Sequence, residues 1–209
     1  MCYSVQTYMA GGEVGNKTPV HTSRYDLPRL PRIRVSGFSY PLLPTQNSST
    51  DRIDWVSWGL IPPWAPNEDI RQHTLNARVE TLGEKPSFRD IQKQRCLVFV
   101  AGFYEWQWLD PKGKRKQPFY IHTDSSAPLV MGGLVSQWID PKTGLSRSTC
   151  TIVTREAVGI MEEIHNSKKR MPVMLEPHQE LTWLQGHLPE PSLTLRAEAL
   201  VEPGQLTLF

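Results

Sequence analysis

Cys96-Leu-Val-Phe-Val-Ala-Gly-Phe-Tyr-Glu105-Trp-Gln-Trp108 is the stretch on which the reading of this chain turns. It is apolar on both faces for most of its length, which predicts a central strand buried on both sides. Glu105 interrupts it. In strand register Glu105 falls on the side of Phe99, Ala101 and Phe103, so a carboxylate is carried into an apolar setting. A desolvated carboxylate needs a partner or takes a raised pKa, and either fits it for acid–base chemistry. A structural ion pair is the other use for such a group.

Outward from there the pattern stays β-rich. Asp110-Pro-Lys-Gly113 is a turn, and Gln117–His122 is the returning strand of a hairpin. Pro128–Trp138 and Ser148–Val153 continue the β pattern around an Asp140–Gly144 turn. Upstream, Arg34–Phe38 and Ile53–Gly59 read as strands, with a turn-like Tyr40–Pro44 between them. Asn76-Ala-Arg78-Val-Glu80-Thr81 alternates, placing Asn76, Arg78 and Glu80 on one face if extended. Pro86–Ile91 opens a brief helix. Thr154 is read as the cap of a helix carrying Ala157, Ile160, Met161 and Ile164 at helical spacing, with His165 just beyond. A last helix spans about 177–184 and stops at Gly186. A glycine-rich loop lies at 11–16, and the tail from Pro189 to Phe209 carries no clear pattern. No repeat or linker divides the 209 residues, so one domain over 1–209 is expected.

Composition narrows the function classes. No apolar run approaches the length of a membrane span, and the start lacks a basic-plus-apolar secretory signal, which predicts a cytoplasmic protein with no membrane partner. The three cysteines, Cys2, Cys96 and Cys150, fit no zinc spacing and no disulfide framework, so no metal or cofactor is expected. Cys96 and Cys150 lie in strand-like runs and read as core thiols, leaving Cys2 as the candidate reactive one. Net charge is only +2, but basic residues cluster at Arg24, Arg29, Arg32 and Arg34, at Lys112, Lys114, Arg115 and Lys116, and at Lys168, Lys169 and Arg170. Such patches on a near-neutral chain suit an anionic partner met through one face, or are solvated loops.

Met1-Cys2 has chemistry of its own. Without Met1, Cys2 carries an α-amine and a thiol on adjacent carbons, a 1,2-aminothiol. The amine condenses with an aldehyde to an imine, and the thiol closes a thiazolidine ring. With a pKa of about 8, roughly a tenth of the amine is nucleophilic at neutral pH.

Four dispersed motifs occur in one order: Met1-Cys2, Asn76-Ala-Arg78-Val-Glu80-Thr81, Gly102-Phe-Tyr-Glu105-Trp106, and Ile164-His165 leading to Arg170-Met171-Pro172. Together they resemble the SOS response-associated peptidase (SRAP) family, whose members shield abasic sites in single-stranded DNA. Trp58-Gly59-Leu-Ile-Pro62 and Lys116-Gln-Pro118-Phe119 share the resemblance, which runs from residue 2 to about 175. It implies an α+β fold with a curved, barrel-like, mainly antiparallel sheet core flanked by short helices. It implies a covalent thiazolidine link from Cys2 to an abasic site in single-stranded DNA, associated autopeptidase activity, and a monomer. By the same resemblance Asn76 holds the terminus, Glu105 exchanges protons with the α-amine, and His165 acts as general acid on the opened sugar. Arg78, Arg170, Lys168 and Lys169 are assigned to phosphates, and Trp64 and Pro44 to unstacked bases. The chain departs from the family where members commonly begin Cys-Gly-Arg: here Cys2 is followed by Tyr3-Ser4. Likewise Asn166-Ser-Lys-Lys separates His165 from Arg170 where the family has a closer Asp-Arg.

Two rivals share some of these features. An N-terminal-nucleophile hydrolase would use the same Cys2 on peptides or amides. A plain nucleic-acid-binding module would use the basic and aromatic residues and leave Cys2 idle.

Overall fold

The computed structural model describes residues 2–7, 32–48 and 52–201. The 11–16 loop, Arg24, Arg29, Met1 and residues 202–209 lie outside that set. The described strands are β1 (Ser4–Gln6), β2 (Arg34–Ser36), β3 (Leu42–Asn47), β4 (Ile53–Trp58), β5 (Asn76–Arg78), β6 (Arg95–Val100) and β7 (Gly102–Trp108). They continue with β8 (Lys116–His122), β9 (Leu129–Ile139), β10 (Ser146–Glu156), β11 (Arg170–Pro172), β12 (Met174–Leu175) and β13 (Arg196–Ala199). The described α-helices are short: α1 (Ile160–Ile164) and α2 (Glu180–Leu184).

The strands make two assemblies. β10, β4, β3, β6 and β9 are hydrogen-bonded in a ring that closes through the β9–β10 pairing, a five-stranded barrel. One seam is parallel, Thr149 and Cys150 of β10 against Ser57 and Trp58 of β4, and the others are antiparallel. Closure removes the exposed edges that an open sheet would leave. The second assembly is an open sheet in the order β13-β8-β7-β1-β2. The expected α+β class with a curved, barrel-like sheet and short helices is the architecture observed.

The stretch 96–108 is two strands. It breaks at Ala101, so β6 belongs to the barrel and β7 to the open sheet. Its apolar character on both faces has a cause in each half. Along β6, Cys96, Val98 and Val100 join one core cluster while Leu97 and Phe99 join another. Each buried side chain of this size contributes about 2 kcal/mol, so the strand is anchored from both sides. At the break, Ala101 N–H donates to Gln6 O at 2.8 Å, tying the corner to β1. Gly102 is required there, because a Cβ would come within 2.4 Å of Ile121 O. Trp183 of α2 closes the far side of β6, lying against Gly132 and donating from Nε1 to Cys96 O at 3.0 Å.

Several local expectations are corrected. Tyr40–Pro44 is not a turn: from Leu42 the chain is strand β3. Pro44 is buried there opposite Trp55, and the ladder to β6 starts only at Thr45, which spares the missing N–H of proline. Thr154 does not cap a helix. It lies in β10, and its hydroxyl donates to Ala77 O at 3.2 Å. The helix is confined to Ile160–Ile164 after Gly159. The Pro86–Ile91 helix is a single 3-10 turn at Arg89–Ile91, and Glu80 belongs to another after β5.

Candidate functional site

Four of the predicted site residues gather where β1, β5, β7 and the end of α1 meet. Cys2 heads β1 and is fully buried. Its carbonyl accepts a hydrogen bond from Asn76 Nδ2 at 2.8 Å, a contact across 74 positions of sequence. Asn76 is presented by β5, which runs parallel to β10 with Asn76 opposite Ile152. The other end of its amide, Oδ1, is buried without a hydrogen-bond partner among the described residues. Such an orphan acceptor is costly unless something else reaches it.

Glu105 lies on β7, beside β1 in the sheet, with Val5 opposite Phe103. Strand alternation turns Phe103 and Glu105 to the core face and Tyr104 and Trp106 to the other. Glu105 is 6% exposed, and Oε1 accepts from Trp106 N–H at 3.2 Å. Burial raises its pKa. The same burial, with the Glu105 charge adding to it, pushes the Cys2 thiol up to about 12. The two groups are therefore within electrostatic reach of one another.

His165 is the residue at which α1 ends. Its Nδ1 accepts from Arg170 N–H at 2.8 Å, which leaves the ring proton on Nε2. Burial lowers its pKa to about 4, so it is a neutral N–H donor at physiological pH. Two clips hold α1 and the turn after it to β7. Gln107 Nε2 donates to Glu163 O at 3.2 Å, and Asn166 exchanges bonds with the Trp108 backbone at 3.0 and 2.9 Å.

The residues assigned to DNA divide. Arg78, at the end of β5 two residues from Asn76, is exposed. Trp64 is 53% exposed, its Nε1 donating to Pro86 O at 3.3 Å, so a stacking face is held at the surface. Lys168 and Lys169 are exposed, with Lys169 Nζ donating to Glu162 O at 2.7 Å. Arg170 and Pro44 are not at the surface. Arg170 makes a two-pronged bond to Glu80 at 2.7 and 2.8 Å and a third to Thr154 O at 2.8 Å, so its guanidinium is committed to bracing β10 and β11. Pro44 is enclosed in β3, out of reach of a stacked base. Among the described residues no group of His, Cys, Asp and Glu is placed to hold a metal ion, and no helix is long and apolar enough to cross a membrane.

A few residues of the site went unassigned by the sequence. Arg34 of β2 donates from Nε to Ser4 Oγ at 3.0 Å and lies over the rings of Tyr104 and Trp106. The Tyr3 and Phe38 rings pair at 5.2 Å beside the terminus. Their partners sit on strands distant in sequence, so the basic cluster that contains Arg34 does not show which groups hold it.

Comparison with known proteins identifies the family. The family model described as SOS response associated peptidase (SRAP) matches residues 12–206. The chain is 40% identical over 173 residues to the abasic site processing protein YoqW of Bacillus subtilis (strain 168), covering 79% of this chain and 73% of that one. It is 30% identical over 179 residues to the abasic site processing protein HMCES of Gallus gallus, covering 74% of this chain and 50% of that one. A crystal structure of a Bacteroides thetaiotaomicron protein superposes with a TM-score of 0.71 at 33% identity, covering 80% and 77% of the two chains.

Proposed function

The chain belongs to the SRAP family, and from that premise we propose that it processes abasic sites in single-stranded DNA by linking them covalently to Cys2 once Met1 has been removed. The observation that carries this reading is the grip of Asn76 on the Cys2 carbonyl at 2.8 Å, beside a buried Glu105. A chain start held by a residue 74 positions away, next to a group able to exchange protons, is what chemistry at the α-amine requires.

The amine, deprotonated by Glu105, attacks C1′ of the ring-opened deoxyribose. The carbinolamine loses water to give the imine, with Glu105 returning the proton to the departing hydroxyl. Burial suits Glu105 to this exchange by raising its pKa above the usual carboxylate value, which makes it a stronger base than an exposed carboxylate. Cys2 Sγ then bonds to the imine carbon while the thiol proton passes to nitrogen, and the thiazolidine closes. His165, neutral with its proton on Nε2, serves as a hydrogen-bond donor to the sugar oxygen rather than as an imidazolium acid. Arg78 and Lys168 meet phosphates and Trp64 stacks a flanking base, which suits a lesion that has no base to read.

The hydrolase reading needs a thiolate as first nucleophile. A thiol pushed up to about 12 is poorly fitted to that role, whereas amine-first chemistry does not require it. The test is a single-stranded oligonucleotide carrying one abasic site, incubated with the protein and run on a denaturing gel. Wild type gives a heat-stable shifted band and Cys2→Ala gives none. A wild-type protein whose N-terminus is verified as Cys2 by mass spectrometry and which gives no band overturns the proposal.

A further inference from the structure

Resting on that reading, we propose that Arg34 holds a backbone phosphate of the bound strand next to the lesion, on the sheet face opposite Glu105. β2 pairs with β1, with Gln6 opposite Arg34 and Ser4 opposite Ser36. Arg34 Nε donates to Ser4 Oγ at 3.0 Å, two residues from Cys2, and Ser4 Oγ in turn donates to Val35 O at 3.1 Å. The hydroxyl is therefore oriented by its own bond and tethers the guanidinium at its inner nitrogen.

The guanidinium is also held in place from below. It lies 4.4 Å from the centre of the Tyr104 ring and 5.1 Å from that of Trp106. Tyr104 is fixed in turn by a hydrogen bond from its hydroxyl to Gln6 Oε1. An arginine stacked on two rings and tethered at Nε has little rotamer freedom left to lose on binding, while its two Nη groups remain to form a fork on phosphate oxygens. Those Nη groups have no carboxylate partner among the described residues. The contrast is with Arg170 and Arg71, whose guanidinium groups are bonded to Glu80 and Glu68.

Alternation along β7 puts this cation on the sheet face away from Glu105. It therefore binds the strand next to the lesion and leaves the reacting sugar to the other face. The same face extends the surface available to the strand. Tyr104 and Tyr120 rings are 5.1 Å apart, Tyr120 stacks on His122 at 5.0 Å, and Arg32 Nη2 donates to Tyr120 Oη at 3.4 Å.

The experiment uses single strands carrying a ring-closed abasic analogue that cannot form an imine, with affinity measured against salt, alongside crosslinking to the true abasic strand. Arg34→Ala is expected to bind roughly tenfold more weakly, with the slope of log affinity against log salt shallower by about 0.7. Arg34→Lys recovers the slope but only part of the affinity, because the point charge lacks the fork. Replacing single phosphates by neutral methylphosphonates locates one position whose loss weakens wild type and has no further effect on Arg34→Ala. If Arg34→Ala fails to melt cooperatively, the methylphosphonate series on wild type and Arg34→Lys decides. A wild type that crosslinks while Arg34→Ala keeps the wild-type affinity and slope overturns this inference and leaves the Cys2 chemistry standing. A wild type that neither binds nor crosslinks overturns the underlying reading instead.

Discussion

The barrel and the open sheet each bury cysteine, and the comparison shows what burial does and does not accomplish. Cys150 of β10 and Cys2, just ahead of β1, are both fully enclosed, and burial pushes each thiol up to about 12. Around Cys150 the company is apolar side chains, the Thr45 hydroxyl and the field of the Arg71 guanidinium, with no carboxylate among the charges that act on the thiol. In the open sheet the thiol lies within the field of Glu105, and its carbonyl is held by Asn76. The barrel spends its burial on packing. Around Cys2, where the open sheet meets β5 and the end of α1, the fold keeps groups that packing alone would exclude: a carboxylate at 6% exposure, an amide oxygen without a partner among the described residues, and a histidine held neutral. Clusters of that kind lower stability and mark function.

The largest effect that breaks or sharpens this comparison is at the cysteines. Cys2→Ala is expected to abolish the adduct, while Cys150→Ala retains it and loses about 1 kcal/mol or more of stability to the cavity left behind. Gel assays paired with thermal melts read both. Equal loss of adduct in the two variants would erase the distinction between the regions.

Glu105→Gln comes next, with crosslinking slowed roughly 100-fold as one proton-transfer group is lost. Its stability is expected to move the other way. A carboxyl whose folded pKa is raised binds more protons folded than unfolded. The stability it lends is present below its ordinary value of 4.5 and is lost as pH rises through the raised folded value. Glu105→Gln should therefore melt higher than wild type above that window. His165 has the opposite sign. Its pKa falls from 6.5 to about 4, so its contribution is full above 6.5 and is lost as pH falls towards 4. Melting curves of wild type, Glu105→Gln and His165→Gln across that range separate the two. A Glu105→Gln protein that melts lower at neutral pH would make Glu105 a structural partner.

Much of the β framework was legible because it rests on local pattern. Hairpin β7–β8 is announced by Asp110-Pro-Lys-Gly113, and the long β9 and β10 by their β-branched runs. The break at Ala101 was not, because a run apolar on both faces looks alike whether it crosses one sheet or turns into a second. Thr154 misled for a related reason: a threonine before helical spacing suits a cap, but its actual partner, Ala77 O, is 77 positions away. In the site, Glu105 declared itself by interrupting an apolar strand. The meeting of Cys2, Asn76 and His165 did not, since no spacing encodes contacts across 74 residues, and it was expected only from the family resemblance. Arg170 was assigned to phosphate from the family resemblance, whereas Glu80 and Thr154 claim it in the fold.

Two smaller effects refine the contrast. Arg170→Ala is expected to cost about 2 kcal/mol of stability through its bonds to Glu80 and Thr154, with the salt slope of DNA binding unchanged. Trp64→Ala should leave the melting temperature near wild type and weaken single-strand binding roughly tenfold, as expected for loss of one stacked base. A salt slope that changed with Arg170 would return that residue to the DNA-contacting group.

The most direct measurement is the fate of the two Cys2 nucleophiles in the purified adduct. The adduct is digested, its N-terminal peptide treated with a thiol-alkylating reagent, and the mass read with and without prior borohydride reduction. The account predicts a mass equal to the peptide plus the sugar remnant less one water, with the thiol refractory to alkylation and borohydride adding nothing. An alkylatable Cys2 thiol in an adduct that gains two hydrogens on reduction would mean an open imine. An adduct mapping to any other residue would contradict the account outright.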